Sequence, residues 1–208
     1  MSGLLVAVEG PDFAGKTTFV RELDALLRTT VRPSRVVITR EPGGTTAGRE
    51  IRDILMDNHH SLTPRAGLLL FAADRAEHVA KVIRPALEAD MVVVTDRYIM
   101  STRVYQRLLG LTEKEITTTI ALAGAPEPDL TIVLAPPLEQ LKHRASLVVH
   151  DAMESRTADK LSDLRWAFIL LAAEYPSMVF KAKQTHQGMT FDVVRAAARI
   201  VEMLKEKE

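Results

Sequence analysis

The chain has 208 residues, 27 basic and 27 acidic side chains, 47% hydrophobic content and no cysteine. That is apolar material for one good core, and a formal net charge of zero argues against duplex nucleic acid as the main partner, which requires a basic surplus. The missing cysteine excludes disulfides, thiolate metal sites and a cysteine nucleophile, and no uninterrupted apolar stretch reaches membrane-spanning length. The N-terminus runs into the first apolar segment with no basic leader, so a cytoplasmic protein with no membrane partner, one domain over residues 1–208, is expected.

Five apolar runs read as buried strands: Leu4–Val8, Val36–Thr39, Met91–Thr95, Leu130–Ala135 and Met178–Lys181. Helical patterns separate them, which predicts an α/β fold with a parallel sheet flanked by helices on both faces. The first run leads into Gly10-Pro11-Asp12-Phe13-Ala14-Gly15-Lys16-Thr17, which fits the pattern G-x-x-x-x-G-K-[ST]. Behind it Phe19, Val20, Leu23, Leu26 and Leu27 recur at helical spacing. Strand, loop and helix in that order make a phosphate loop: consecutive backbone amides converge on one point, and the helix aims its positive end there. Lys16 would reach the β- and γ-phosphates of a nucleotide, and the Thr17 hydroxyl would ligate Mg²⁺.

Further along, Thr63-Pro64 predicts an N-cap with proline at the first helical position, opening a helix through Leu68, Phe71, Ala72, Arg75, Val79 and Val82 that ends near Pro85. Thr112 with Glu115 predicts a capping box. Pro176 should stop the helix carrying Trp166, Phe168 and Leu170, and a last amphipathic helix should cover Phe191, Val194, Ala197, Ala198 and Val201. Two less apolar segments, 40–61 and 147–160, read as insertions above the carboxyl edge of the sheet, where ligands bind in open α/β folds.

Two strand ends carry chemistry. Met91–Thr95 is followed by Asp96-Arg97, where Asp96 would hold Mg²⁺ through water and the neighbouring cation suits a second phosphate-bearing substrate better than a hydrolytic water. An ion pair at a strand end would read the same way. Val36–Thr39 is followed by Arg40-Glu41-Pro42-Gly43-Gly44-Thr45, so Arg40 and Arg97 could clamp one phosphate from two strands; an ordinary turn with an exposed arginine also fits the second segment. The Asn-Lys-x-Asp segment by which GTPases read guanine is absent, since the lone asparagine, Asn58, is followed by His59.

These segments together resemble the thymidylate kinases, the nucleoside-monophosphate kinases that make dTDP from dTMP and ATP. The resemblance rests on Glu9-Gly10-Pro11-Asp12, Ala14-Gly15-Lys16-Thr17-Thr18, Arg40-Glu41-Pro42-Gly43-Gly44-Thr45, Leu70-Phe71-Ala72-Ala73-Asp74-Arg75, Asp96-Arg97-Tyr98 with Ser101-Thr102, Tyr105-Gln106 and Pro128-Asp129-Leu130-Thr131, all in family order. It implies a three-layer phosphate-loop fold on a five-stranded parallel sheet, with monophosphate-binding and lid insertions. It also implies roles. Gly10 to Thr18, with Arg144, would bind ATP. Arg40 and Arg97 would bind the dTMP phosphate. Phe71 would stack on thymine, Arg75 would meet a base carbonyl, and Ser101 and Gln106 would lie near the base edge. Tyr105 would crowd the ribose 2′ position, and Asp12 resembles the carboxylate that contacts the 3′-hydroxyl. Lys16, Arg97, Asp96 and Asp12 would carry catalysis, with Thr17 and Asp96 holding Mg²⁺. Glu9 resembles a family acid near the metal, and a structural role at the strand end fits it equally well. Members of the family are homodimers, and the apolar helix around Leu68–Ile83 would supply either interface or core.

The chain departs from the pattern in places. The variable positions of its phosphate loop, Pro11 to Ala14, hold no basic residue, and the lid pattern Asp-Arg-x-x-Glu reads Asp151-Ala152-Met153-Glu154 here. A lid over roughly 144–160 would have to draw its cation from Arg144, Arg156 or Lys160. Arg107-Leu108-Leu109 stands where a glycine-rich loop is usual, and Ala135-Pro136-Pro137 replaces a common strand end. A kinase for another deoxynucleoside monophosphate (dUMP, dGMP or a modified pyrimidine) and a non-catalytic nucleotide switch are the alternatives.

Overall fold

The structure, a computed structural model, describes residues 3–147, 151–181, 183–185 and 188–207. Five strands form one parallel sheet: β1 (Leu4–Glu9), β2 (Val36–Arg40), β3 (Val92–Asp96), β4 (Leu130–Leu134) and β5 (Ser177–Phe180), in the spatial order β2-β3-β1-β4-β5. The helices between and after them are α1 (Lys16–Thr30), α2 (Thr46–Met56), α3 (Pro64–His78), α4 (Arg84–Glu88), α5 (Ile99–Leu108), α6 (Glu113–Leu122), α7 (Leu138–Ala145), α8 (Ala152–Thr157), α9 (Leu161–Leu171) and α10 (Val193–Lys207). A short antiparallel pair, β6 (Lys183–Thr185) and β7 (Gly188–Thr190), precedes α10.

The central strands are apolar on both faces because both faces are covered. Leu4, Val6 and Val8 point to a cluster that includes Phe19, Leu23 and Leu27 of α1 and Ala196 and Ile200 of α10. Leu5 and Ala7 point the other way, against Val79, Ile83 and Leu87. These opposed sets hold the sheet between two helical layers, the three-layer arrangement expected.

The local signals explain the helix ends. The Thr63 side chain accepts from the Ala66 amide, with Pro64 at the first helical position. Thr112 and Glu115 make a reciprocal capping box. The helix from Pro64 does not stop near Pro85, however. A wider turn of five-residue periodicity, Val79–Ile83, follows α3 and passes into α4, which runs to Glu88. The change of register sets Pro85 at the start of a new helical segment, where its missing N–H costs nothing. Phe191 lies before α10, not in it, and packs edge-on to Phe19 at a centroid distance of 6.0 Å. The strands match the expected runs to within a residue at their starts and ends.

The connections leaving β1 and β3 run to opposite sides of the sheet, β1 to β2 and β3 to β4. Their carboxyl ends therefore open a crevice between them, the usual place for a ligand in such a sheet. The Arg97 amide donates to the Val8 carbonyl at 2.9 Å in that crevice. Among the described residues no helix is long and apolar enough to cross a membrane.

Candidate functional site

A cleft of about 500 Å³ lies over these strand ends. Its floor is the loop between β1 and α1. Gly10 has φ 142°, and a Cβ there would sit 2.4 Å from the Leu134 carbonyl oxygen, so only glycine lets the loop leave the strand against β4. Gly10, Pro11 and Ala14 are buried behind the loop, while Asp12, Phe13, Gly15, Lys16, Thr17 and Thr18 face the cleft. The Lys16 amine donates to the Gly10 carbonyl at 3.1 Å and the Pro11 carbonyl at 2.7 Å, curling over the loop. Burial, and next the nearby Arg97 guanidinium, pull the Lys16 ammonium down to about 8. An anion seated in the loop would push it back up.

Thr17 and Asp96 meet across the floor, the Thr17 hydroxyl donating to Asp96 Oδ2 at 2.9 Å. Two oxygens side by side suit a hard cation. No group of three or more His, Asp or Glu among the described residues could hold a metal by itself, so water and ligand phosphate would have to complete the shell.

The second wall comes from β2 and β3. Arg40 is exposed at the end of β2, in register with Asp96 on β3, and both line the cleft, as does Arg97. Arg97 has φ 73°, a left-handed conformation costing a non-glycine residue about 1–2 kcal/mol. The bond to Val8 holds it there, together with one from the Thr95 hydroxyl to the Arg97 carbonyl at 2.8 Å. The turn sends the guanidinium back toward the phosphate loop. There it donates to the Gly10 carbonyl at 3.4 Å and the Ser101 hydroxyl at 3.1 Å, and pairs with Asp12. Burial alone would lower Arg97, but the oxygens of Tyr105, Asp12, Asp96 and Glu9 outweigh it and hold the guanidinium charged.

Tyr105 is buried and donates to Asp12 Oδ2 at 2.7 Å, with Arg97 over its ring at 5.2 Å. Glu9 lies at the end of β1, beside the Arg97 turn. Fully buried, it accepts from the amides of Tyr98 (2.9 Å) and Ser101 (3.1 Å) and from the Ser101 hydroxyl (2.5 Å), capping the start of α5. Burial raises its carboxyl despite those bonds and the neighbouring Arg97.

The far end of the cleft is lined by Phe71 and Arg75, one turn apart on α3, with Gln106 on α5. Arg75 is engaged already: it donates to Glu41 Oε2 at 2.8 Å and the Thr102 hydroxyl at 3.0 Å, and is 3% exposed. Gln106 is buried, and its Oε1 has no hydrogen-bond partner among the described residues. Over the opening, Arg144 donates to the Phe13 carbonyl at 3.1 Å, and Asp151, Met153 and Glu154 close the rim. Asp151 caps α8 by accepting from the amides of Met153 and Glu154, both at 2.9 Å, so the missing lid arginine leaves an acidic rim. Residues 148–150 of the expected lid and the Arg156 side chain lie outside the described residues.

The residues assigned from the sequence to nucleotide and Mg²⁺ thus line this cleft or belong to its loop, and of the candidate lid cations Arg144 lines it whereas Lys160 does not. Arg52 on α2 was missed. Its side chain is half-buried, donates to the Pro42 carbonyl at 3.2 Å and lines the cleft. Burial, followed by repulsion from Arg40, lowers its guanidinium. The signal was its spacing: Gly48 and Arg52 are four apart on α2, so they share the face turned to the Arg40–Thr45 loop.

Residues 8–189 match the family model described as thymidylate kinase. The chain belongs to the thymidylate kinase family. It is 45% identical over 183 residues to the thymidylate kinase of Bifidobacterium longum (strain DJO10A), covering 85% of this chain and 87% of that one. It is 37% identical over 201 residues to that of Prochlorococcus marinus (strain MIT 9515), covering 93% and 95%. The crystal structure of thymidylate kinase from Ehrlichia chaffeensis superposes with a TM-score of 0.74 at 26% identity, covering 97% of this chain and 98% of that one. Family membership and the shared fold agree with the phosphate-loop architecture built up above.

Behind the cleft of this thymidylate kinase family member lies a buried polar cluster. Asp74 accepts from the Gly43 amide at 2.9 Å and is 1% exposed. Burial raises its carboxyl to about 6; the Gly43 amide, His78 and Arg75 oppose that rise, and Glu41 adds to it. Between about pH 4 and 6 the native chain therefore holds a proton that the unfolded chain has lost, and native stability falls as pH rises through that window. Asp74→Asn removes this titration while keeping an acceptor. Its melting temperature relative to the unsubstituted chain should climb from about pH 4 to 6 and stay level above. A pH-independent difference in thermal denaturation would contradict the assignment.

Proposed function

We propose that this chain transfers the γ-phosphoryl group of ATP to dTMP, giving dTDP and ADP. The observation that carries the reading is Arg97. It leaves β3 in a strained turn and reaches back to the phosphate loop, with Arg40 one strand further out. Two anion pockets therefore adjoin along one cleft, one made of loop amides and Lys16, the other of guanidinium groups. In this reading Gly10 to Thr18 and Arg144 hold ATP, Arg40 and Arg97 hold the acceptor phosphate, with Arg52 beside them, and Phe71, Arg75, Ser101 and Gln106 surround the base.

An oxygen of the acceptor phosphate attacks the γ-phosphorus as the bond to the β–γ bridging oxygen breaks, and the electron pair leaves with ADP. The acceptor is already an anion, so no general base is required. Alignment and charge cancellation supply the rate. Thr17 and Asp96 would hold Mg²⁺, which when bound neutralises charge on the β- and γ-phosphates. Asp12 orients Arg97 on one side and Tyr105 on the other, where both would meet the sugar. Segment 144–160 serves as the lid, and the soluble nucleotide substrates suit a cytoplasmic site of action.

A homodimer belongs to the same proposal. Leu68, Val79 and Ile83 are core, whereas Leu69 on the outer side of α3 is 61% exposed and, with the exposed Ala73, Ala76 and Ala80, is available to a second copy. The test of the function is ADP release with ATP and Mg²⁺ across dTMP, dUMP, dGMP and no acceptor. Stimulation greatest with dTMP is expected. ATP turnover indifferent to any acceptor would leave only a nucleotide binder.

A further inference from the structure

We infer that Asp74 and His78 are positioning residues that lock the Arg40–Thr45 loop onto the helix reading the base, so that the phosphate clamp and the base wall move as one body. The inference rests on the acceptor site proposed above and deepens it.

Neither residue lines the cleft, and both are buried. Asp74 Oδ1 accepts from the Gly43 amide at 2.9 Å. His78 Nδ1 lies 2.8 Å from Glu41 Oε1, and its Nε2 lies 2.6 Å from the Thr39 hydroxyl. A carboxylate only accepts, so Nδ1 carries the proton, and in the neutral ring Nε2 accepts from Thr39. Gly44 rests on the same ring: a Cβ there would come within 2.5 Å of His78 Cδ2. From Thr39 to Gly44, four residues of strand end and loop are thus fixed to two side chains of α3. On the opposite side Arg52 holds the Pro42 carbonyl.

That same helix carries Phe71 and Arg75. A bound monophosphate would span from Arg40, at the end of β2 where the loop begins, to Phe71, on the helix. The separation of those points must match the length of the nucleotide, and misplacement by about 1 Å can cost on the order of 100-fold in rate. A buried latch outside the cleft meets that requirement without touching substrate.

The test is steady-state kinetics of Asp74→Ala, Asp74→Asn and Gly44→Ala, each with a melting curve. Asp74→Ala is expected to raise the KM for dTMP about tenfold or more while the KM for ATP stays within about twofold. Asp74→Asn, which keeps the acceptor for Gly43, should return the dTMP KM to within about threefold. Gly44→Ala, which wedges the loop off His78 with Asp74 intact, should repeat the split and decides the matter where Asp74→Ala does not fold. An unchanged dTMP KM in both disruptive variants, an equal loss for both substrates, or Asn behaving as Ala would overturn the inference. An unsubstituted chain that does not phosphorylate dTMP would instead overturn the function proposed above.

Discussion

Arg97→Ala is expected to lower phosphoryl transfer to dTMP about a thousandfold and to leave ATP binding nearly intact. That fall corresponds to about 4 kcal/mol of transition-state stabilisation. Arg97 lies in the crevice between the two strand ends and bonds to the carbonyl of Gly10, so it is placed to offset charge between donor and acceptor. ATP would still meet the loop amides and Lys16, the latter held by its own bonds to the Gly10 and Pro11 carbonyls. Removing the guanidinium also leaves Asp12, which lines the cleft, beside the phosphates without its ion-pair partner. Part of the loss is then carboxylate repulsion, and an Arg97→Ala/Asp12→Asn double substitution should recover that part. Arg97→Lys should rescue little, because an ammonium cannot reach Gly10, Ser101 and Asp12 together. Equilibrium binding of an ATP analogue beside single-turnover transfer separates the two effects; full transfer in the alanine variant would contradict the site.

Glu41→Ala should give the largest loss of stability. Glu41 and Arg75 are each 3% exposed and 2.8 Å apart, and His78 bonds to the other carboxylate oxygen. Taking away the carboxylate strands a buried guanidinium, at a cost of about 3–5 kcal/mol. For a chain of this size that is a fall in melting temperature on the order of 10 °C. The Thr102 hydroxyl and the Tyr98 ring, 5.2 Å from Arg75, would not replace a charge. A Glu41→Ala/Arg75→Met double substitution should win back much of the stability, because an apolar pair can fill the site without desolvating ions. It should not win back dTMP phosphorylation, since Arg75 borders the base end of the cleft. Thermal denaturation of the two variants checks this. A single substitution with an unchanged melting temperature would mean that the pair adds nothing to the fold.

What could be read without coordinates was whatever leaves a local pattern. The five apolar runs became the five strands because both faces of a parallel sheet are buried, and continuous Val and Ile record that directly. The phosphate loop was legible because its glycines and lysine sit at a spacing the geometry demands. Arg40 and Arg97 were legible because each follows a strand that points at the cleft. Long-range contacts were less visible. The Glu41 interaction with Arg75 and His78 joins residues 34 and 37 apart, and nothing near Glu41 announces it. Arg52 looked like one more charge on an insertion until α2 packed beside the loop. The wide turn that carries the helix past Pro85 depends on Val79 and Ile83 being drawn into the core against β1 and β3, a demand of packing and not of the proline. The acidic rim at Asp151 and Glu154 was visible as a departure from the family pattern, but its place over the cleft was not.

The most direct measurement follows the label from γ-³²P-ATP in the presence of Mg²⁺ and dTMP, with the nucleotide products separated. The expected result is label in dTDP, matched by ADP, and lost in Arg97→Ala. Label released as inorganic phosphate at a rate that dTMP does not change would contradict two adjoining anion pockets serving one transfer.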